Sequence, residues 1–178
     1  MIMPPFQRIV ITGPESSGKS TLATVLSEQL SVPVSREYAL DFLSESGNPN
    51  YEYSDLLTIA KGQVDRESNL LKSHPLIICD TSLLVIKIWS EYRFGKVDPF
   101  VLGELNARKN ELFLLCKPDL PWEAGPFREN PDDRNVLYEI YLKWLKENRC
   151  IYSIVEGFEE ARFHSAIRFL NRYGLGSK

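Results

Sequence analysis

The sequence predicts an α/β protein with three layers, a five-stranded parallel sheet flanked by helices on both faces. Three observations carry that expectation. Short apolar runs recur along the chain with amphipathic segments between them, the alternation that a sheet covered on both faces requires. The first run leads straight into a Gly-rich turn that opens a helix. Charged residues stand where the second and third runs end, the edge at which parallel sheets collect ligands.

The elements follow in order. Phe6 to Thr12 reads as the first strand, with Ile9, Val10 and Ile11 as a buried run. A helix from Lys19 to Leu30 carries Leu22, Val25, Leu26 and Leu30 on one stripe. Val32 to Ser35 is a short strand, placed at a sheet edge by Pro33. Ser54 is the expected cap of a helix reaching Lys72, with Leu57, Ala60, Val64 and Leu71 inward. Pro75 to Asp80 is a buried strand that ends in a carboxylate. Leu83 to Phe94 is a helix stopped by Gly95, and Asp98-Pro99 starts another. Glu111 to Cys116 is a strand. Residues 117–134 hold Pro118, Pro121, Pro126 and Pro131 among acids and arginines, a long polar loop with no core of its own. A helix from Asp133 to Asn148 turns Leu137, Ile140, Tyr141 and Trp144 inward. Ile151 to Val155 is the last strand, and Phe163, Ala166, Ile167 and Leu170 mark the final helix.

At 178 residues the chain is expected to form a single domain. Lys plus Arg number 21 and Asp plus Glu 24, so 21 − 24 leaves a net charge of −3, which argues against a general nucleic-acid binder. Cys79, Cys116 and Cys150 have no metal-site spacing and read as reduced thiols. His74 and His164 are isolated and carry no assigned chemistry. No run approaches a membrane span and the N-terminus lacks a leader pattern, so a cytoplasmic protein without a membrane partner is expected.

One motif carries chemistry. Gly13-Pro-Glu-Ser-Ser-Gly18-Lys19-Ser20 fits the phosphate-binding P-loop pattern. A chain of this length matches by chance on the order of once in a hundred, and here the motif also sits between a strand and a helix, the context it requires. Gly13 and Gly18 permit the turn. Glu15, Ser16, Ser17 and Thr21 complete the cradle of backbone N–H groups at the helix N-terminus. Lys19 places a cation on the β- and γ-phosphates, and the Ser20 hydroxyl can ligate Mg²⁺.

The flanking residues leave alternatives open. Asp80 is a candidate Mg²⁺ ligand, or a helix cap shared with Thr81 and Ser82. Glu37 is a candidate acceptor of a hydroxyl proton, or a solvated carboxylate at a helix start. The roles of Glu37 and Asp80 are interchangeable at this level. Arg128 and Arg134 fit a lid that neutralises transition-state charge, or surface arginines paired with Glu129, Asp132 or Asp133. Trp89, Tyr92 and Trp122 are aromatic candidates for stacking on a base, with a core role also open to Trp89. Trp144 reads as core. Glu156-Gly157-Phe158, with Arg162 stacked on the ring or merely a surface charge, is a candidate for the nucleotide base. No N-K-x-D element follows the fourth strand, which argues against a GTPase, and the chain is too short for the helical domain of a AAA+ motor.

GPESSGKSTLA, REYA at 36–39, IAKGQ at 59–63, CDT at 79–81 and PDLPWE at 118–123 together resemble the ribosylnicotinamide kinase domain of the bacterial bifunctional NAD-biosynthesis regulator. The likeness runs from about Arg8 to Phe169, and the adenylyltransferase signature of that regulator is absent from the sequence. The resemblance implies a P-loop NTPase fold of the nucleoside- and nucleotide-kinase kind with a lid. It implies phosphoryl transfer from ATP to the 5′-hydroxyl of nicotinamide riboside, with ATP and Mg²⁺ as cofactors and a small nucleoside as partner. It assigns Gly13 to Thr21 to ATP and Mg²⁺, and Asp80 to Mg²⁺ or catalysis. Arg36, Glu37 and Tyr38 go to the acceptor side, and Arg128 and Arg134 to the lid. A kinase of another nucleoside or nucleotide, and a nucleotide-sensing regulatory ATPase, are the alternatives.

Overall fold

The computed structural model describes residues 6–47, 51–108, 110–125 and 132–176. Its elements are β1 (Arg8–Thr12), α1 (Lys19–Leu30), β2 (Val34–Ser35), α2 (Tyr38–Ser46), α3 (Tyr53–Leu71), β3 (Ile77–Asp80), α4 (Leu83–Phe94), α5 (Pro99–Ala107), β4 (Glu111–Cys116), α6 (Arg134–Glu147), β5 (Ile151–Val155) and α7 (Glu160–Asn171). The sheet is parallel throughout, in the order β2-β3-β1-β4-β5. The chain leaves β1 toward β2 and β3, then crosses over β1 to reach β4. The reversal leaves a crevice beyond the C-terminal end of β1, where open sheets bind ligands.

Strand alternation divides the core in two. Val10, Ile77, Cys79, Phe113 and Leu115 face the layer of α2 to α6. Ile9, Ile11, Ile78, Leu112, Leu114 and Cys116 face α1 and α7. Both faces are covered, so β1, β3 and β4 read as continuous apolar runs instead of alternating ones. β2 lies at one edge, as Pro33 indicates, and β5 at the other, with Ile151 and Ile154 partly in solvent.

The observed elements depart from expectation in four places. α2 was anticipated only as a helix start at Glu37; it follows β2 after two residues and packs on α3. The cap of α3 is Glu52, in a reciprocal box with Asp55, two residues before Ser54. The buried stripe of α3 is Leu56, Ile59, Ala60, Gln63 and Glu67, one residue out of phase with Leu57, Val64 and Leu71. Two of its inward positions are polar, which hides the stripe from an apolar-periodicity reading. In α6, Tyr138 and Leu145 take the core places expected of Ile140 and Trp144. Trp144 is half-buried, edge-on to Phe113. Cys79 and Cys116 are buried, and all three thiols are free. Among the described residues no helix is long and apolar enough to cross a membrane.

Candidate active site

The P-loop wraps the C-terminal end of β1. Gly13 has φ 132°, and a Cβ there would lie 2.6 Å from the Cys116 carbonyl oxygen, so both conformation and close approach to β4 demand glycine. Gly18 has φ 75°, and the Leu120 side chain packs against it. Ser16 is also left-handed, at φ 51°. Inside the loop, Ser17 Oγ donates to the Pro14 carbonyl at 2.7 Å, and Lys19 Nζ donates to the same oxygen at 2.7 Å.

A cleft of about 560 Å³ opens above the loop. Gly13 and Glu15 to Thr21 form its floor. Its outer wall is built from two helices. Glu37, Leu40 and Ser44 fall three and four residues apart along the start and first turns of α2; Val85 and Trp89 lie four apart on α4, and Thr81 just ahead of its cap. Leu120, Pro121 and Glu123 of the β4–α6 segment close the third side.

Three ionisable groups meet under the cleft. Burial pulls the Lys19 ammonium below its usual range, against the opposing pull of the carboxylates of Glu37, Asp80 and Glu15. Burial pushes Glu37 up to about 7, with Lys19 opposing and Asp80 adding to the rise. Burial also raises Asp80, while the Ser20 hydroxyl, Lys19 and Arg36 favour its charged form. Ser82 caps α4 by accepting from the Leu84 N–H at 3.2 Å, so Asp80 is not needed as the cap. Its Oδ1 is buried without a hydrogen-bond partner among the described residues. An unpartnered carboxylate oxygen with a serine hydroxyl beside it is a hard-oxygen pair that fits Mg²⁺, which keeps waters and takes phosphate oxygens for the rest of its shell. Thr81, β-branched and at φ 70°, holds a strained backbone between Asp80 and the cap, pinned by its N–H to the Ile11 carbonyl at 3.1 Å.

The other anticipated residues fall around this centre. Trp122 lies against the P-loop, its Nε1 donating to Glu15 Oε1 at 3.1 Å. Arg134 Nη1 donates to the carbonyls of Ser16 at 3.2 Å and Leu120 at 3.0 Å. The Ser16 hydroxyl bonds both the N–H and the C=O of Glu123. The start of the expected lid is thus docked on the loop it was expected to cover. Arg128 lies outside the described residues. Tyr38 points away from the cleft: its ring lies on Gly62 of α3, under the Arg66 guanidinium at 5.0 Å. Arg36 is exposed and reaches the centre only through its charge. The Tyr92 hydroxyl donates to Asp133 at 2.8 Å.

Arg162 does not offer its guanidinium to a base. It is buried, donates to the carbonyls of Ser17, Lys117 and Gly157 at 2.7–3.0 Å, and pairs with Asp119. Asp119 in turn accepts from the Gly157 N–H at 2.7 Å. The sequence reading missed this clamp, as well as Leu40, Ser44 and Val85 on the cleft wall. The spacing of Glu37, Leu40 and Ser44 is helical and is the signal that was available.

A profile of the family described as AAA domain matches residues 8–162. The trifunctional NAD biosynthesis/regulator protein NadR of Salmonella typhimurium is 29% identical over 170 residues, 91% of this chain and 42% of the relative. Two solved structures of NadR, one in complex with NAD and AMP-PNP and one with NR, superimpose with a TM-score of 0.81 each. They are 22% and 21% identical and cover 97% of this chain, but only 50% and 52% of theirs. Deoxyadenosine kinase from M. mycoides with bound dCTP has a TM-score of 0.64 at 16% identity, covering 93% of this chain and all of that one. The fold is therefore a P-loop, nucleoside-kinase-like one. The chain spans less than half the length of the curated relative it matches.

Proposed function

The chain belongs to the AAA domain family, and from that premise we propose that it is an ATP- and Mg²⁺-dependent kinase acting on the 5′-hydroxyl of nicotinamide riboside. The observation that carries the proposal is the placement of Glu37, a carboxyl pushed up to about 7, on the lining of the cleft where the P-loop meets a wall of Leu40, Val85 and Trp89. A base poised near neutral pH suits proton removal from an acceptor hydroxyl. The likeness to NadR, with its NR-bound structure, supports the choice of acceptor.

Phosphoryl transfer needs positioning and charge stabilisation more than covalent chemistry. The N–H groups of residues 15–21 would bind the phosphates, and Lys19, whose Nζ donates to the Pro14 carbonyl, would supply a cation to the γ-phosphoryl group. Ser20 and Asp80 would hold Mg²⁺, which would supply positive charge to the phosphate oxygens. Trp89 offers a flat face to the acceptor base, and Glu37 takes the hydroxyl proton. The segment from Leu120 to Arg134 acts as the lid that excludes water, with Arg134 and Arg128 as its arginines.

The test is ADP release from MgATP with a panel of nucleosides, the products weighed by mass spectrometry. The expected product is nicotinamide riboside heavier by one phosphoryl group, formed faster than the corresponding products of adenosine, cytidine or uridine. Faster phosphorylation of another nucleoside overturns the acceptor assignment, and no phosphorylated product at all overturns the kinase reading.

A further inference from the structure

Glu37 stands at the N-cap position of α2, from which a side-chain oxygen can accept from the N–H of the second or third helical residue. It does not do so: no side-chain cap hydrogen bond is made. The N–H of Tyr38, at the first helical position and without an intrahelical partner, is taken by Gln63 Oε1 of α3 at 2.9 Å. Gln63 is 2% exposed, and its Nε2 donates to Glu67 Oε1 at 3.0 Å and Ser35 Oγ at 3.3 Å. One amide therefore bonds both flanks of Glu37.

The direction in which that amide points is itself determined. A carboxylate accepts and cannot donate, so Glu67 compels the NH₂ end of Gln63 to face it and leaves Oε1 for Tyr38. Glu67 is fully buried and ion-paired with Arg8 Nε at 3.0 Å and Arg108 Nη1 at 2.7 Å, with Glu111 completing the cluster. The two polar positions on the inward stripe of α3 are thereby explained. They transmit a fixed orientation from the N-terminal end of the sheet to its C-terminal end.

We infer that Gln63 is a positioning residue: oriented by Glu67, it ties the first N–H of α2 to α3 and so holds the backbone that carries Glu37 at the cleft. The inference rests on Glu37 being the base of the proposed reaction, although the contact itself does not. The charged and titratable groups that face Glu37 are Lys19 of α1, Asp80 of β3 and Tyr141 of α6. Arg36 precedes it, and Arg66 of α3 holds the Arg36 carbonyl at 3.2 Å. None of these is altered by a change at Gln63.

The experiment is a ¹³C NMR titration of the Glu37 carboxyl in the intact chain, its signal assigned by its loss in Glu37→Gln. The wild-type midpoint is expected near 7. Gln63→Met keeps the volume and loses the hydrogen bonds to Tyr38, Ser35 and Glu67. The start of α2 is then released from α3, Glu37 gains access to water, and the midpoint falls toward the ordinary carboxylate range, because burial is the main cause of its rise. Gln63→Glu is the rescue. Beside Glu67 it is protonated, so it still donates to Glu67 and still accepts from Tyr38, and its midpoint stays near that of the wild type. With MgATP and nicotinamide riboside, Gln63→Met is expected to lose about 10- to 100-fold in kcat with KM for ATP unchanged. An unmoved midpoint in Gln63→Met, or equal displacement in Met and Glu variants, overturns the inference. Should the Met variant not fold, Gln63→Asn takes its place. It is one methylene too short to span Glu67 and Tyr38, and the same fall is expected; an unmoved midpoint overturns the inference there too. If nicotinamide riboside is not phosphorylated, the functional reading fails alone, because the titration needs no acceptor.

Discussion

A carboxyl raised to about 7 from an ordinary 4.5 links function to stability at a single residue. Between those values the folded state holds a proton at Glu37 that the unfolded chain has released. Stability from this group therefore falls as pH rises through the window, and the penalty is complete above 7. Glu37→Gln removes it. The variant is expected to match the wild type in urea unfolding at pH 4 and to exceed it at pH 8. The gain is on the order of 1–3 kcal/mol, reduced by the lost attraction to Lys19. The same variant is expected to lose phosphoryl transfer while keeping ATP binding, and wild-type kcat is expected to drop as pH falls below about 7. Undiminished turnover in Glu37→Gln would remove that residue from the mechanism. Lys19→Ala is expected to abolish transfer with an unchanged circular dichroism spectrum, since burial of its ammonium opposes folding.

Among elements, the junction of α2 with α3 decides where the acceptor wall stands. A Cβ at Gly62 would lie 2.3 Å from the Tyr38 ring, so the glycine lets the two helices close. Gly62→Ala is expected to cost about 1–3 kcal/mol and to raise KM for the acceptor more than KM for ATP, because it displaces α2 and not the P-loop. Adding Tyr38→Ala opens the space again, and recovery of acceptor KM in the double variant is the check. Sequence reading offered α2 only as a helix start at Glu37, because the apolar residues Tyr38, Ala39, Leu40, Phe42 and Leu43 run almost continuously without a clear stripe and the start is capped from another helix. α4 was legible to the residue, with Ser82 at one end and Gly95 in a left-handed turn at the other. Local chemistry set both ends there.

Across the whole molecule, Arg162 of α7 joins parts that are far apart in sequence: the P-loop at Ser17, the end of β4 at Lys117 and Asp119, and the turn after β5 at Gly157. Arg162→Met leaves these carbonyls and Asp119 without their donor. Chemical denaturation is expected to show a loss of about 3–5 kcal/mol, and calorimetry a weaker ATP interaction. A loss under about 1 kcal/mol would mean that water replaces the guanidinium.

By itself the sequence determined the α/β class, the strands and the phosphate loop, because each depends on neighbours within about ten residues. A strand buried on both faces is a continuous apolar run, and a P-loop is a backbone shape written by its own glycines. Of the candidate site, the structure brings Gly13, Glu15 to Thr21, Glu37 and Trp89 to one cleft, with Asp80 buried beneath it. Only the tertiary structure decided where the remaining side chains point. Tyr38 lies on Gly62, Arg134 and Arg162 bind backbone carbonyls, and Gln63 caps a helix that is not its own. The physical reason is that a buried polar group must find a partner, and the partner is supplied by whichever element the fold brings beside it, at separations such as 145 residues between Arg162 and Ser17 that no local pattern encodes.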